Sequence, residues 1–69
     1  MIKSYDSIAW SGYIRFSREP VAYTKEVTGN MICDFDATHQ IIGIELIECL
    51  PNELEKVEIV IENSNLASV

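Results

Sequence analysis

The chain has 69 residues, 48% of them hydrophobic, with eleven Asp and Glu against five Lys and Arg and a net charge of −6. That length holds one domain, and the apolar content excludes an intrinsically disordered chain. The acid balance argues against binding of a nucleic-acid backbone, which needs a basic footprint, and the sequence holds no run of about 20 apolar residues that could span a bilayer.

The dominant pattern is short alternating runs separated by turn residues, the signature of an antiparallel sheet. A first strand is expected over residues 2–5, closed by Asp6 and Ser7. A second is expected over residues 12–17, with Ile14 and Phe16 on one face and Tyr13 and Arg15 on the other, because side chains alternate along a strand. Pro20 ends that stretch, since proline cannot donate to a ladder. Residues 21–27 form the third strand. Thr28-Gly29-Asn30 then reads as a three-residue hairpin loop in which Gly29 takes a positive φ. That loop pairs Val27 with Met31, Lys25 with Cys33 and Tyr23 with Phe35.

Residues 31–36 and 41–48 are the fourth and fifth strands, with Phe35 expected opposite Ile42 and Cys33 opposite Ile44. The expected core is Ile14, Phe16, Val21, Tyr23, Val27, Met31, Cys33, Phe35, Ile42, Ile44 and Leu46. Pro51 can open a helix. The β-branched alternation of residues 57–62 nevertheless reads as a sixth strand; the competing reading is one helix over residues 51–62, with Leu54, Val57 and Ile61 at helical spacing. The fold class that follows is mainly β: a five- or six-stranded antiparallel sheet in meander order, with at most one short helix near Pro51. Residues 1–62 make the single domain and 63–69 a flexible tail.

Two blocks carry a resemblance. Tyr5-Asp6 leads to Tyr13-Ile14-Arg15-Phe16-Ser17. Asp34-Phe35-Asp36 leads to Ile41-Ile42-Gly43-Ile44-Glu45-Leu46, with Val21 and Thr24-Lys25-Glu26-Val27 between the blocks. In this order and spacing, over residues 2–50, the chain resembles the domain of unknown function 2283 family of small bacterial, archaeal and phage proteins. The family pattern carries an acidic residue where Trp10 stands, a leucine at Gly12 and a glycine at His39. The resemblance implies a compact β-rich fold with no established activity, found among accessory and toxin–antitoxin neighbours.

Few residues suggest chemistry. Asp34, Asp36 and Glu45, eleven residues after Asp34, echo the acidic positions of a calcium loop, but the glycine of such a loop is replaced by His39 and the flanks read as strands. His39 beside Asp36 lacks a nucleophile or phosphate cradle to act with. Cys33 and Cys49 do not face each other in this register, and with no leader segment opening the sequence they imply free thiols and a cytoplasmic protein. Two cysteines and one histidine complete no four-ligand zinc site.

The face opposite the core carries Tyr13, Arg15, Thr24, Glu26, Ile32, Asp34, Glu45 and Ile47, with Arg15 expected among carboxylates. Tyr and Arg are frequent interface anchors. Trp10 is a further candidate anchor. The expected function is therefore that of a small protein-interaction module with no cofactor and no chemistry of its own: an antitoxin-like, phage-encoded or regulatory accessory protein. It would pair with itself as a homodimer and with another protein. The alternative is a small ligand- or metal-binding domain built on Asp34, Asp36 and Glu45.

Overall fold

The computed structural model describes residues 1–64. Five strands are followed by one helix: β1 (Ile2–Asp6), β2 (Ser11–Arg15), β3 (Tyr23–Thr28), β4 (Met31–Phe35), β5 (Ile41–Ile47) and α1 (Pro51–Glu62). All pairings are antiparallel, in the order β1-β2-β5-β4-β3. The expected antiparallel β-rich class holds, but simple meander order does not. β1–β2 and β3–β4–β5 are meanders; the chain leaving β2 crosses to the far edge through residues 16–22, giving a Greek-key arrangement. Composition explains the placement. β5, with Ile41, Ile42, Ile44, Leu46 and Ile47, is the most apolar strand and takes the centre; β3, with Thr24, Lys25 and Glu26, is polar enough for an edge.

The crossing segment is fastened at its start. The Phe16 amide donates to the Ile42 carbonyl at 3.1 Å. Arg15 donates from Nε to the Ser17 carbonyl at 3.0 Å and from Nη2 to the Glu19 carbonyl at 2.6 Å. Arg15 therefore serves its own loop; the carboxylate partners expected from the sequence are not among its hydrogen bonds, and the ion pair found among the described residues joins Lys3 to Glu58 at 2.8 Å.

Residues 57–62 are not a strand. They complete α1, which corrects the sixth-strand expectation. Pro51 stands at the first helical position, and the Glu53 carboxylate accepts the Leu50 amide at 3.0 Å, one half of a capping box. The deciding factor is burial. Helical spacing drives Leu54 and Ile61, each 2% exposed, into one cluster with Ile14, Phe16, Cys33 and Ile44, which stabilises the fold by about 1.5–3 kcal/mol for each side chain fully buried. The first residues of the expected tail close the helix, Asn63 donating to Ile59 and Ser64 to Ile61; residues 65–69 lie outside the described residues.

α1 lies over β2, and this limits the core. One row of opposed residues crosses the whole sheet as Lys3, Ile14, Ile44, Cys33 and Lys25. Of the expected core, Ile14, Phe16, Cys33, Ile42 and Ile44 are buried, although Ile42 stands apart from the main cluster; Met31, Phe35 and Leu46 are half-buried. Tyr23 and Val27 are exposed, because β3 is the edge strand beyond the reach of the helix, and Val21, expected to begin that strand, is exposed in the segment before it. Cys49, not expected in the core, is buried where β5 turns into α1; its amide donates to the Trp10 carbonyl and its own carbonyl accepts the Tyr5 hydroxyl at 2.7 Å.

The expected register holds at Tyr23–Phe35, Lys25–Cys33 and Cys33–Ile44. It fails at two bulges. Thr28, not Val27, opposes Met31, and Ile41, not Ile42, opposes Phe35. The β3–β4 loop is therefore two residues long, and Gly29 has no positive φ. Positive φ falls on Trp10 (55°), His39 (68°) and Glu48 (55°) instead.

Two glycines should respond oppositely to alanine. At Gly12 a Cβ would sit 2.7 and 2.8 Å from the two methyls of buried Leu54. Gly12→Ala should cost about 1–3 kcal/mol as the helix is lifted. At Gly29 a Cβ meets nothing within 4 Å, and Gly29→Ala should stabilise by about 0.4–1 kcal/mol through the unfolded chain. Urea denaturation of both variants checks the pair, and a destabilised Gly29→Ala would contradict the loop conformation.

Candidate functional site

α1 covers one face of the sheet; the other face carries the candidate residues. Tyr13, Arg15, Ile32, Asp34, Glu45 and Ile47 are half-buried there, and Thr24 and Glu26 are exposed. Register aligns seven of them in two rows of directly opposed residues, Ile2, Arg15, Gly43, Asp34 and Thr24 in one, and Ser4, Tyr13, Glu45, Ile32 and Glu26 in the next, while Ile47, opposite Ser11, follows in the row beyond. All eight residues singled out from the sequence thus share one surface.

The centre of this face is a fixed polar triad. The Tyr13 hydroxyl donates to Asp34 Oδ2 at 2.6 Å, and the Thr24 hydroxyl donates to Asp34 Oδ1 at 2.7 Å. Tyr13 reaches Asp34 by lying across Gly43: a Cβ there would collide with the Tyr13 hydroxyl oxygen and stand 2.9 Å from its Cζ. Gly43 was expected on this face, though without a role in it. Its signal was a glycine inside an otherwise β-branched strand, which marks a close approach of another group to the backbone. Burial, then the hydrogen bond and charge of Asp34, push the Tyr13 hydroxyl above its ordinary pKa, while the nearby Arg15 guanidinium acts in the opposite sense.

Asp36 belongs to a different device. Its Oδ1 accepts the Thr38 amide at 2.8 Å, the Thr38 hydroxyl at 2.7 Å and the Gln40 amide at 3.0 Å. These bonds, the Thr38 hydroxyl first, hold its carboxyl below the usual range despite burial. The carboxylate organises the β4–β5 turn. His39, within that turn, places Nδ1 2.9 Å from the Tyr23 hydroxyl, and Tyr23 stacks on Phe35 with ring centroids 4.9 Å apart. Asp34, Asp36 and Glu45 are not brought together: among the described residues no group of three or more His, Cys, Asp or Glu side chains is placed to hold a metal ion. Cys33 and Cys49 are both free and buried, and burial raises both thiols, which disfavours the reactive thiolate.

Trp10 stands at the end of the face, 56% exposed, in the β1–β2 loop beside Ile8 at 93%. Asp6 Oδ1 accepts the amides of Ile8 and Ala9 at 2.9 and 3.1 Å, so this loop is held in shape. Ser11, next in the chain, opposes Ile47. Among the described residues no helix is long and apolar enough to cross a membrane.

A family model described as "Protein of unknown function (DUF2283)" matches residues 4–49. No curated protein and no solved structure matches the chain. The matched span contains all five candidate strands' worth of the open face except Ile2, and excludes α1.

Two titrations test the geometry. The raised Tyr13 pKa means that the folded state favours the neutral phenol, so its contribution is intact below the ordinary tyrosine pKa of about 10 and is lost as pH rises through the higher folded value. Tyr13→Phe should cost about 1.5–3 kcal/mol at neutral pH, the range for a hydrogen bond to a charged group, and should flatten the alkaline limb of the stability curve. For Asp36 the sign is reversed: its lowered pKa gives stability that is present above the ordinary carboxylate range and lost as pH falls through the lower folded value. Asp36→Asn should destabilise near neutrality and leave a shallower acid limb. Denaturation midpoints across pH check both, and unchanged limbs would contradict the bonds described.

Proposed function

The chain belongs to the DUF2283 family, and from the geometry of its open face we propose that it is a small protein-interaction module that acts by binding another protein. It contributes recognition and no chemistry of its own. The observation that carries this reading is that Ile32 and Ile47 stay half-buried beside the locked Tyr13–Asp34–Thr24 triad, on the sheet face that α1 does not cover. A rigid, partly apolar face with an aromatic residue at its centre suits a partner better than it suits water, because pre-ordered side chains lose little entropy on binding. Trp10 and Ile8 extend the apolar character past the end of the face.

Charge narrows the partner. Glu26 and Glu45 lie on the face, and the chain as a whole carries −6, which favours a protein with a basic surface and speeds its encounter. In that role the chain is an antitoxin-like, phage-encoded or regulatory accessory protein. Its two buried, unbridged cysteines suit the reducing cytoplasm.

The test is affinity capture with the tagged chain, followed by measurement of Kd for each captured protein. Ile47→Lys and Ile32→Lys should weaken binding by about 2 kcal/mol or more, the scale of an interface hot spot. Ile59→Lys, exposed on the helix, should leave it unchanged. Binding that survives both outer-face changes and falls with the helix change would place the interface elsewhere and overturn the reading.

A further inference from the structure

We propose that β3 is a self-pairing edge: two copies of the chain join antiparallel along it, with Thr24 on the two-fold axis, to make one continuous ten-stranded sheet. This goes beyond the binding role above and does not depend on it.

The edge is open. β3 ends the strand order, all six of its residues are exposed, and among the described residues it pairs with β4 alone. Its outer backbone groups are a template for another strand. Tyr23–Thr28 contains no proline. The opposite edge is less suited. Lys3 of β1 is tied to Glu58, and Glu55 and Glu62 lie near enough to act on its charge. A second copy along β1 would bring two such glutamate rows together.

Chemistry selects the register. In a closed pair of antiparallel edges the two-fold axis is normal to the sheet, so both helices lie on the same side and opposed residues have the same parity. Centring on Lys25 sets Lys25 against itself, and centring on Glu26 does the same for a carboxylate; like charges directly opposite are destabilising. Centring on Tyr23 carries Pro20, which has no N–H, into the ladder opposite Glu26. Centring on Thr24 sets no like charges against each other and moves Pro20 to the last position of the ladder, opposite Thr28. Thr24 meets Thr24, an uncharged pair whose hydroxyls remain on Asp34 of their own copies. Tyr23 of each copy opposes Lys25 of the other, where the ammonium can lie on a ring already held flat by Phe35. Val21 and Val27, 42% and 51% exposed, are brought toward each other's counterparts. Two Tyr23–Lys25 contacts result by symmetry.

Sedimentation velocity on the full chain tests the proposal, with circular dichroism confirming that each variant is folded. The wild type should be a dimer. Tyr23→Lys, which opposes two lysines twice, should raise the dimer Kd by about fivefold or more. Adding Lys25→Glu to the same chain should restore the dimer, because each new lysine then faces a carboxylate. Thr24→Cys should form a disulfide-linked dimer on mild oxidation, the native thiols being buried. A monomeric wild type, a dimer indifferent to Tyr23→Lys, or a double variant that fails to recover would overturn it. Loss of the captured partner on Ile47→Lys with an intact dimer would separate this edge from the outer face.

Discussion

The fold depends on one close approach, the Leu54 side chain of α1 against the bare backbone of Gly12 in β2. The space a Cβ would fill at Gly12 is occupied by the two Leu54 methyls. With Leu54 seated, α1 lies over β2, Ile61 reaches the same cluster as Ile14 and Ile44, and Lys3 is in range of Glu58. In this chain Gly12 leaves that volume to a leucine supplied by the helix. A helix about 12 Å across cannot cover five strands spaced about 4.8 Å apart. One strand is therefore left with both faces wet, and it is β3, the most polar.

The same asymmetry produces the open face. Its residues are held by contacts within the sheet: Tyr13 across Gly43 onto Asp34, Thr24 onto the same carboxylate, and Arg15 onto its own loop. Such a surface is held in order by the sheet itself. The strained backbone sits at the margins. Trp10 and Glu48, both at φ 55°, flank the hydrogen bond from the Cys49 amide to the Trp10 carbonyl that ties the β1–β2 loop to the start of α1. His39, at φ 68°, holds a conformation that carries no steric penalty only for glycine.

Alternation along the chain was enough to determine the five strands, most of their pairing, the central core residues Ile14, Phe16, Cys33 and Ile44, and the common face of Tyr13, Arg15, Ile32, Asp34 and Glu45. Period-two patterning reports directly on which side a residue points, and the Gly-Ile-Glu block of β5 was specific enough to indicate the family. Local pattern could not report what lies beyond the neighbouring strand. That β5 rather than β3 pairs with β2, that Val57 and Ile61 belong to a helix, and that Val21, Tyr23 and Val27 stay exposed were decided by where one helix could bury Leu54 and Ile61 together. The bulges at Val27 and Ile42 and the Tyr13–Gly43–Asp34 contact were likewise tertiary. Each depends on residues far apart in the chain meeting across strands, and no periodicity within a strand encodes that distance.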